Sequence, residues 1–420
     1  MTAPPAAGGG VAGSGGAGVA SAMNPHAGQD AAPGKAPRYV LPAITVAQFC
    51  GTSLWFAVNA VMQPLQQATG WPPTAVGTLT SAVQLGFIAG TLVFALLAVA
   101  DRHSPRWVFL LCSLAGAACA LVAALVPPQF ETLILLRAAT GFCLAGIYPV
   151  GMKIASLWYP QGLGAALGVI VGALVLGSAA PHALRALGVV WPWQTVLMAV
   201  AALAAAGGVL LWVALPERGT ARPATLQWRA LASLWTWPDV RASVLGYFGH
   251  MWELYTFWVL VPAIVATRLA GAALSWAAFA IMAAGALGCA GGGWLARRVG
   301  SARVASTQLA CSGLCCLAAP WMLQAGDLLF GAWLLLWGVT VAGDSPQFSA
   351  LTARNAPREA VGSVLTLTNS IGFAISIVSI QLFVMLSATV PLAQLLPWLA
   401  PGPALGLLAM RRLWGKSPPA

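Results

Sequence analysis

Apolar runs of membrane-spanning length alternate with short polar breaks from about residue 40 to the C-terminus. About 20 apolar residues in a helix cross a hydrocarbon core. The pattern therefore predicts twelve spans, at 40–62, 75–99, 107–126, 131–152, 163–186, 192–214, 243–266, 274–296, 303–323, 328–349, 361–386 and 391–410. Pro391, Pro397, Pro401 and Pro403 interrupt the last of them. Polar residues inside the runs are few and fall on single faces. Gln48, Thr52, Trp55 and Asn59 form one stripe on the first run, and Thr340, Asp344 and Gln347 share a face on the tenth. A polar stripe on a membrane helix marks the side turned from lipid.

The pattern occurs twice. Ala145-Gly146-Ile147-Tyr148-Pro149 returns 197 residues later as Ala342-Gly343-Asp344-Ser345-Pro346. Pro160 returns as Pro357 and Trp55 as Trp252 at the same offset, and the basic loop at Asp101-Arg102 returns as Arg297-Arg298. A duplicated apolar unit implies an all-α membrane protein, with twelve transmembrane helices in two pseudo-symmetric six-helix bundles. Internal repeats of this kind are a mark of secondary transporters, whose site lies between the repeats. The expected division is a disordered cytoplasmic tail at 1–38, a first bundle at 39–215, a cytoplasmic linker at 216–242, a second bundle at 243–412 and a tail at 413–420. Gly164, Gly168 and Gly172 give the fifth run a small-residue face suited to close helix contact.

Composition agrees with this reading. Charged residues are 7% of the chain against about 25% in soluble domains. The net charge of +11 sits in clusters between the runs rather than in a stripe, so it reads as membrane topology and not as a nucleic-acid surface. Nearly all of the 20 Lys and Arg residues fall on one side of the predicted spans, from Lys35 and Arg38 through Arg218 and Arg222 to Lys416, which predicts both termini in the cytoplasm. The eight cysteines lie in apolar runs without a Cys-x-x-Cys pair, so neither metal nor cofactor is expected. Gly415-Lys416-Ser417 lacks the upstream glycine of a phosphate loop, where Met410 stands. Residues 1–37 carry no apolar core that a signal peptide would need.

A charge inside the bilayer costs roughly 2.5–3.5 kcal/mol on insertion scales, so each one asks for a reason. Glu253 stands near the middle of the seventh run, with His250 three residues earlier on the same helical face. A carboxyl group there can take a proton at one face and lose it at the other, with His250 tuning it; a fixed structural bond is the alternative. Arg137 in the fourth run needs an anion, Glu253 or backbone carbonyls of the first run as partner. Asp344 is either a second acid at the inner mouth or a loop anchor. Gln48, Asn59, Trp252, Tyr255, Gln347 and Tyr148 are further candidates to touch a solute. Asp101, Arg102, Arg106, Arg297 and Arg298 are candidates for a cytoplasmic latch between the halves, and topology alone also accounts for the arginines.

Gly293-Trp294-Leu295-Ala296-Arg297-Arg298-Val299-Gly300, the earlier copy with Asp101, Arg102 and Arg106, Arg137-x-x-x-Gly141, and Pro216-Glu217-Arg218 together resemble the major facilitator superfamily over roughly 40–412. The first loop departs from the pattern at Leu97 and Ser104-Pro105. Asp344-Ser345-Pro346-Gln347 looks like the bacterial nitrate/nitrite and cyanate porter-like branch, although spans 75–99 and 274–296 carry no arginine before Arg297, where nitrate porters use one each. The resemblance implies alternating access, with spans one, four, seven and ten lining the path. The chain is thus expected to be a proton-coupled secondary transporter, not an enzyme, acting as a monomer in the bacterial inner membrane on a small solute, anionic or zwitterionic first. The alternatives are a proton-driven exporter of organic compounds, or a transporter-like sensor or scaffold that moves nothing.

Overall fold

The computed structural model describes residues 36–159, 163–188, 191–217, 226–232 and 236–414. Residues 1–35 of the expected tail, Pro160, Arg218, Arg222 and Lys416 lie outside them. Among the described residues, helix is the only regular secondary structure. Ten helices among the described residues are long and apolar enough to cross a membrane. We number the spans α2 (Ala75–Leu96), α3 (Pro105–Leu125), α4 (Phe130–Trp158), α5 (Ala165–Leu187), α6 (Trp193–Ala214), α8 (Gly271–Val299), α9 (Ser301–Met322), α10 (Asp327–Asn355), α11 (Val361–Leu386) and α12 (Leu392–Leu413). Two more complete the expected twelve. One is α1, which runs over Val40–Thr52 and resumes as Ala57–Ala60 and Met62–Thr69. The other is α7, Pro238–Val265.

The repeated pentapeptide is a helix break in both copies. In α4 the helix stops at Ala145 and restarts at Tyr148; in α10 it stops at Gly343 and restarts at Ser345. Pro149 and Pro346 are the cause, because proline has no N–H to offer the carbonyl four residues back. The expected spans 131–152 and 328–349 are thus each two helical pieces rather than one. The first span, read as continuous over 40–62, is also broken. Thr52 Oγ1 donates to the Gln48 carbonyl at 2.8 Å and Ser53 Oγ to that of Cys50 at 2.6 Å, taking acceptors from the helix ladder. The last span is broken too, with a 3₁₀ turn at Leu396–Leu399 where its prolines cluster. α7 begins at Pro238, inside the stretch read as linker, since proline suits the first helical position and Asp239 the positive end of the helix dipole.

Within the first six spans α2 packs on α4, α3 on α6, and α1 on α5 and α6. Within the last six α8 packs on α10, and α7 on α11 and α12. The two sets meet along α5–α8 and α2–α11. Small residues allow the first contact: Gly172 stands opposite Ala286, and Gly168 opposite the Cys289 carbonyl. α2 and α11 are joined by polar bonds, Ser376 Oγ to Gln84 Oε1 at 2.9 Å and Gln381 Nε2 to Ser81 Oγ at 2.8 Å. The outward faces carry exposed Leu111, Leu135, Val213, Leu287 and Leu314, side chains that a bilayer solvates.

Candidate functional site

Six aromatic rings fill the junction between the two sets of spans. Trp55, Phe56 and Phe87 come from α1 and α2, and Tyr255, Trp258 and Phe373 from α7 and α11. All are at most 5% exposed. Trp55 lies nearly parallel to Tyr255 (centroids 6.0 Å, planes 20°) and to Phe373 (5.5 Å, 24°), and Phe56 lies parallel to Tyr255 (6.3 Å, 3°). Tyr148 of α4 completes a trio of phenols within electrostatic reach of one another, with Tyr247 and Tyr255 of α7.

Glu253 lies in α7 on the side turned to α9 and α10, 1% exposed, and its carboxylate is bonded wholly within the last six spans. Trp337 Nε1 of α10 donates to Oε1 at 2.6 Å, Cys316 Sγ of α9 to the same oxygen at 3.2 Å, and Ser312 Oγ of α9 to Oε2 at 2.8 Å. The serine also stands 3.1 Å from the Leu309 carbonyl. A hydroxyl has a single proton and two lone pairs. Ser312 can donate to the ionised carboxylate, or donate to Leu309 while accepting from the protonated acid. Both protonation states of Glu253 are therefore satisfied without moving a heavy atom.

His250 does not contact Glu253 through any bond in this arrangement. Its Nδ1 stands 2.8 Å from Oδ1 of Asp344, and both side chains are almost fully buried. Asp344 sits at the break in α10, where its carbonyl accepts from the Gln347 and Phe348 amides at the start of the second helical piece. The positive end of that piece favours a carboxylate there. Nε2 of His250 is buried without a partner.

Arg137 faces backbone rather than a side-chain acid. Its guanidinium donates to the Leu54 carbonyl at 2.9 Å and to that of Trp55, the two residues where α1 is unwound. The break in α1 and the buried arginine explain one another: one exposes carbonyls that the helix does not use, the other supplies a fork of donors to cap them.

The remaining candidates scatter. Gln48 is buried against Gly151 of α4 with neither amide atom partnered, and Asn59 donates to Thr80 of α2 at 2.8 Å. Trp252 turns toward α12, where it packs on Gly402 and stands 3.5 Å from the Trp398 carbonyl. Gln347 is buried beside the α10 break. Asp101 bonds Lys153 of α4, which also holds the Ala100 carbonyl, so its partner belongs to its own half. Arg106 bonds the Leu215 carbonyl and Glu217, again in its own half. Arg102 and Arg297 are exposed, and Arg298 lies over the Trp294 ring. Sequence reasoning passed over Ser312, Cys316, Trp337 and Lys153. Ser312 and Cys316 are four apart on one helix, the one readable sign that α9 turns a polar face inward.

Two sets of six helices around a closed aromatic junction, with a carboxylate held on one side of it, define a polytopic transport protein of the two-bundle kind. The chain belongs to the Major Facilitator Superfamily, whose family profile matches residues 44–380. No curated protein sequence matches it. Among solved structures it is similar to the human organic anion transporter MFSD10 (TM-score 0.67, 17% identity, 89% of this chain and 99% of that one). It is also similar to a variant of the nucleoside transporter NupG (0.69, 14%, 90% and 100%). A bacterial homologue of the human lysosomal transporter Spinster, solved inward-facing and unoccupied, gives 0.66 at 18% identity over 91% and 98%. Identities this low establish the shared fold.

Proposed function

We propose that this chain is a proton-coupled secondary transporter of small organic solutes, in which Glu253 carries the proton. The reading rests on one observation: a buried carboxyl group whose hydrogen-bond partner Ser312 serves both its protonated and its ionised form. A carrier must be stable in both states, whereas a structural carboxylate needs donors for one. His250, three residues before Glu253 on α7 and paired with Asp344 of α10, offers the next proton stop through its unpartnered Nε2. An organic solute fits better than a small inorganic anion, because the seam between the two sets of spans is lined by aromatic rings. We place the two bundles at 39–215 and 243–412 around a linker at 216–242. On this reading the protein works as a monomer in the bacterial inner membrane, and the basic loops support both ends cytoplasmic.

The test is proton movement in proteoliposomes holding a pH-sensitive dye. Carboxylates, neutral heteroaromatics, amino acids and lipophilic cations are added in turn, with Glu253→Gln as control. A solute-dependent pH change in the wild type and none in Glu253→Gln is the expected outcome. Solute uptake without proton movement would overturn the coupling, and silence with every solute would favour a transporter-like sensor.

A further inference from the structure

We infer that the substrate is a flat, uncharged molecule whose polar groups are hydrogen-bond acceptors, and that it is held between Trp55 of the first bundle and Trp258 of the second. This deepens the reading of the chain as a transporter of organic solutes and rests on it. The indole Nε1 atoms of Trp55 and Trp258 are both buried without a hydrogen-bond partner. Three other indole N–H groups find acceptors: Trp333 reaches the Cys315 carbonyl at 3.0 Å, Trp337 reaches Glu253 and Trp414 reaches Ser306. A third unpartnered indole, Trp212, lies away from the seam against Trp107 and Arg106.

An indole nitrogen only donates, so no shift of protons can satisfy these two groups from within. A buried donor left unpaired costs about 1–3 kcal/mol, and a ligand acceptor removes that penalty. The two donors come from opposite halves and flank one ring. Phe56 and Tyr255 each contact Trp258, and Trp55 lies over Tyr255. A molecule that accepts from both gains its full binding energy only when the halves are together, so it favours the occluded arrangement. The near-parallel rings here stack on one another, and a guest that parts them must itself be planar to keep that stacking. No ring residue is charged. Arg137 commits its two terminal nitrogens to the Leu54 and Trp55 carbonyls, and Glu253 is ringed by donors of its own half. A formally charged guest in the seam would lie among uncharged rings, at the cost of a charge in the bilayer.

Equilibrium dialysis tests this on the full chain in lipid nanodiscs, with empty nanodiscs subtracted. Caffeine, coumarin and quinoxaline are flat, uncharged and present only acceptors. N-methylindole is flat and uncharged without a strong acceptor, and benzoate is flat and anionic. At least one of the first three should bind about tenfold or more tightly than N-methylindole and benzoate. Trp55→Phe and Trp258→Phe should each weaken that binding about threefold to tenfold, the range for one lost hydrogen bond. Trp321→Phe, at an exposed site, should leave it unchanged. Failure of all three acceptors to bind, equal binding of N-methylindole or benzoate, or indifference to both seam variants overturns the inference. If a variant does not fold, the wild-type series still decides. Acceptor solutes that drive proton flux but ignore both indoles would sink the seam assignment alone. Acceptor solutes that bind as expected but move no protons would sink the coupling alone.

Discussion

Among the charges this protein buries, Arg137 of the first half and Glu253 of the second are held by different means. In the first half Arg137 is fixed to main-chain carbonyls that the broken α1 leaves free. In the second half Glu253 is held by side chains, one of them a hydroxyl able to turn its proton either way. A guanidinium does not give up its proton, so its partners need serve one state only. A carboxyl group that must change state needs partners that can both give and take. Under the proposed function, a permanent charge paired with backbone takes the structural role in the first half, and a changeable one paired with a rotor carries the proton in the second.

The largest effect is expected from Arg137→Leu. It leaves two buried carbonyls unpaired, each at about 1–3 kcal/mol, so thermal unfolding in nanodiscs should begin far below the wild type. Arg137→Lys, with one ammonium in place of the fork, should recover part of the loss. Equal stability of all three proteins would break the comparison at its first member. Lys153→Met comes next. The ammonium is buried with Asp101, and removing one partner of such a pair should cost about 2–4 kcal/mol in the same measurement. Ser312→Ala should cost only about 1 kcal/mol of stability. It should nonetheless slow coupled proton movement about threefold to tenfold, and a change in stability without a change in rate would remove the rotor from the mechanism.

The smallest effect concerns the two copies of the basic loop. α2 ends at Leu96 and turns through Ala98 in the left-handed region (φ 50°), whereas α8 runs unbroken to Val299 and turns at Gly300 (φ 90°). Alanine in that region is strained by about 1–2 kcal/mol, and glycine is not. Ala98→Gly should raise the midpoint of thermal unfolding, equivalent to about 1 kcal/mol, with transport unchanged. A lowered midpoint would mean that Lys153 and Asp101 need the alanine to hold the loop in place.

The fold was legible because its signal is local. Apolar runs report spans, but the breaks of α4 and α10 beside Pro149 and Pro346 were not read from them, since a run stays apolar through a break. The site was legible only where a residue acts through its own helix. Glu253 stood out as a charge in an apolar run, but its donors come from α9 and α10, and no spacing in the sequence announces that encounter. The stripe of Gln48, Thr52, Trp55 and Asn59 assumed a continuous helix. The break at residues 53–56 turns Trp55 toward the other half and Asn59 toward α2, so residues on one helical face part company. Trp252 misled for the opposite reason. It repeats Trp55 in sequence, but α7 is unbroken there and presents it to α12. A repeat preserves residue and register; it does not preserve the irregular backbone that aims a side chain.

The most direct test is solute accumulation in proteoliposomes under an imposed pH gradient, run side by side for wild type, Glu253→Gln and Arg137→Lys. The solute is the member of the panel that moves protons in the wild type. The account predicts that Glu253→Gln folds normally and still exchanges solute across the membrane, but loses at least tenfold of its gradient-driven accumulation. Arg137→Lys should lose stability and yet keep its accumulation per folded molecule. Accumulation that survives in Glu253→Gln and vanishes in folded Arg137→Lys would contradict the account and move the coupling to the first half.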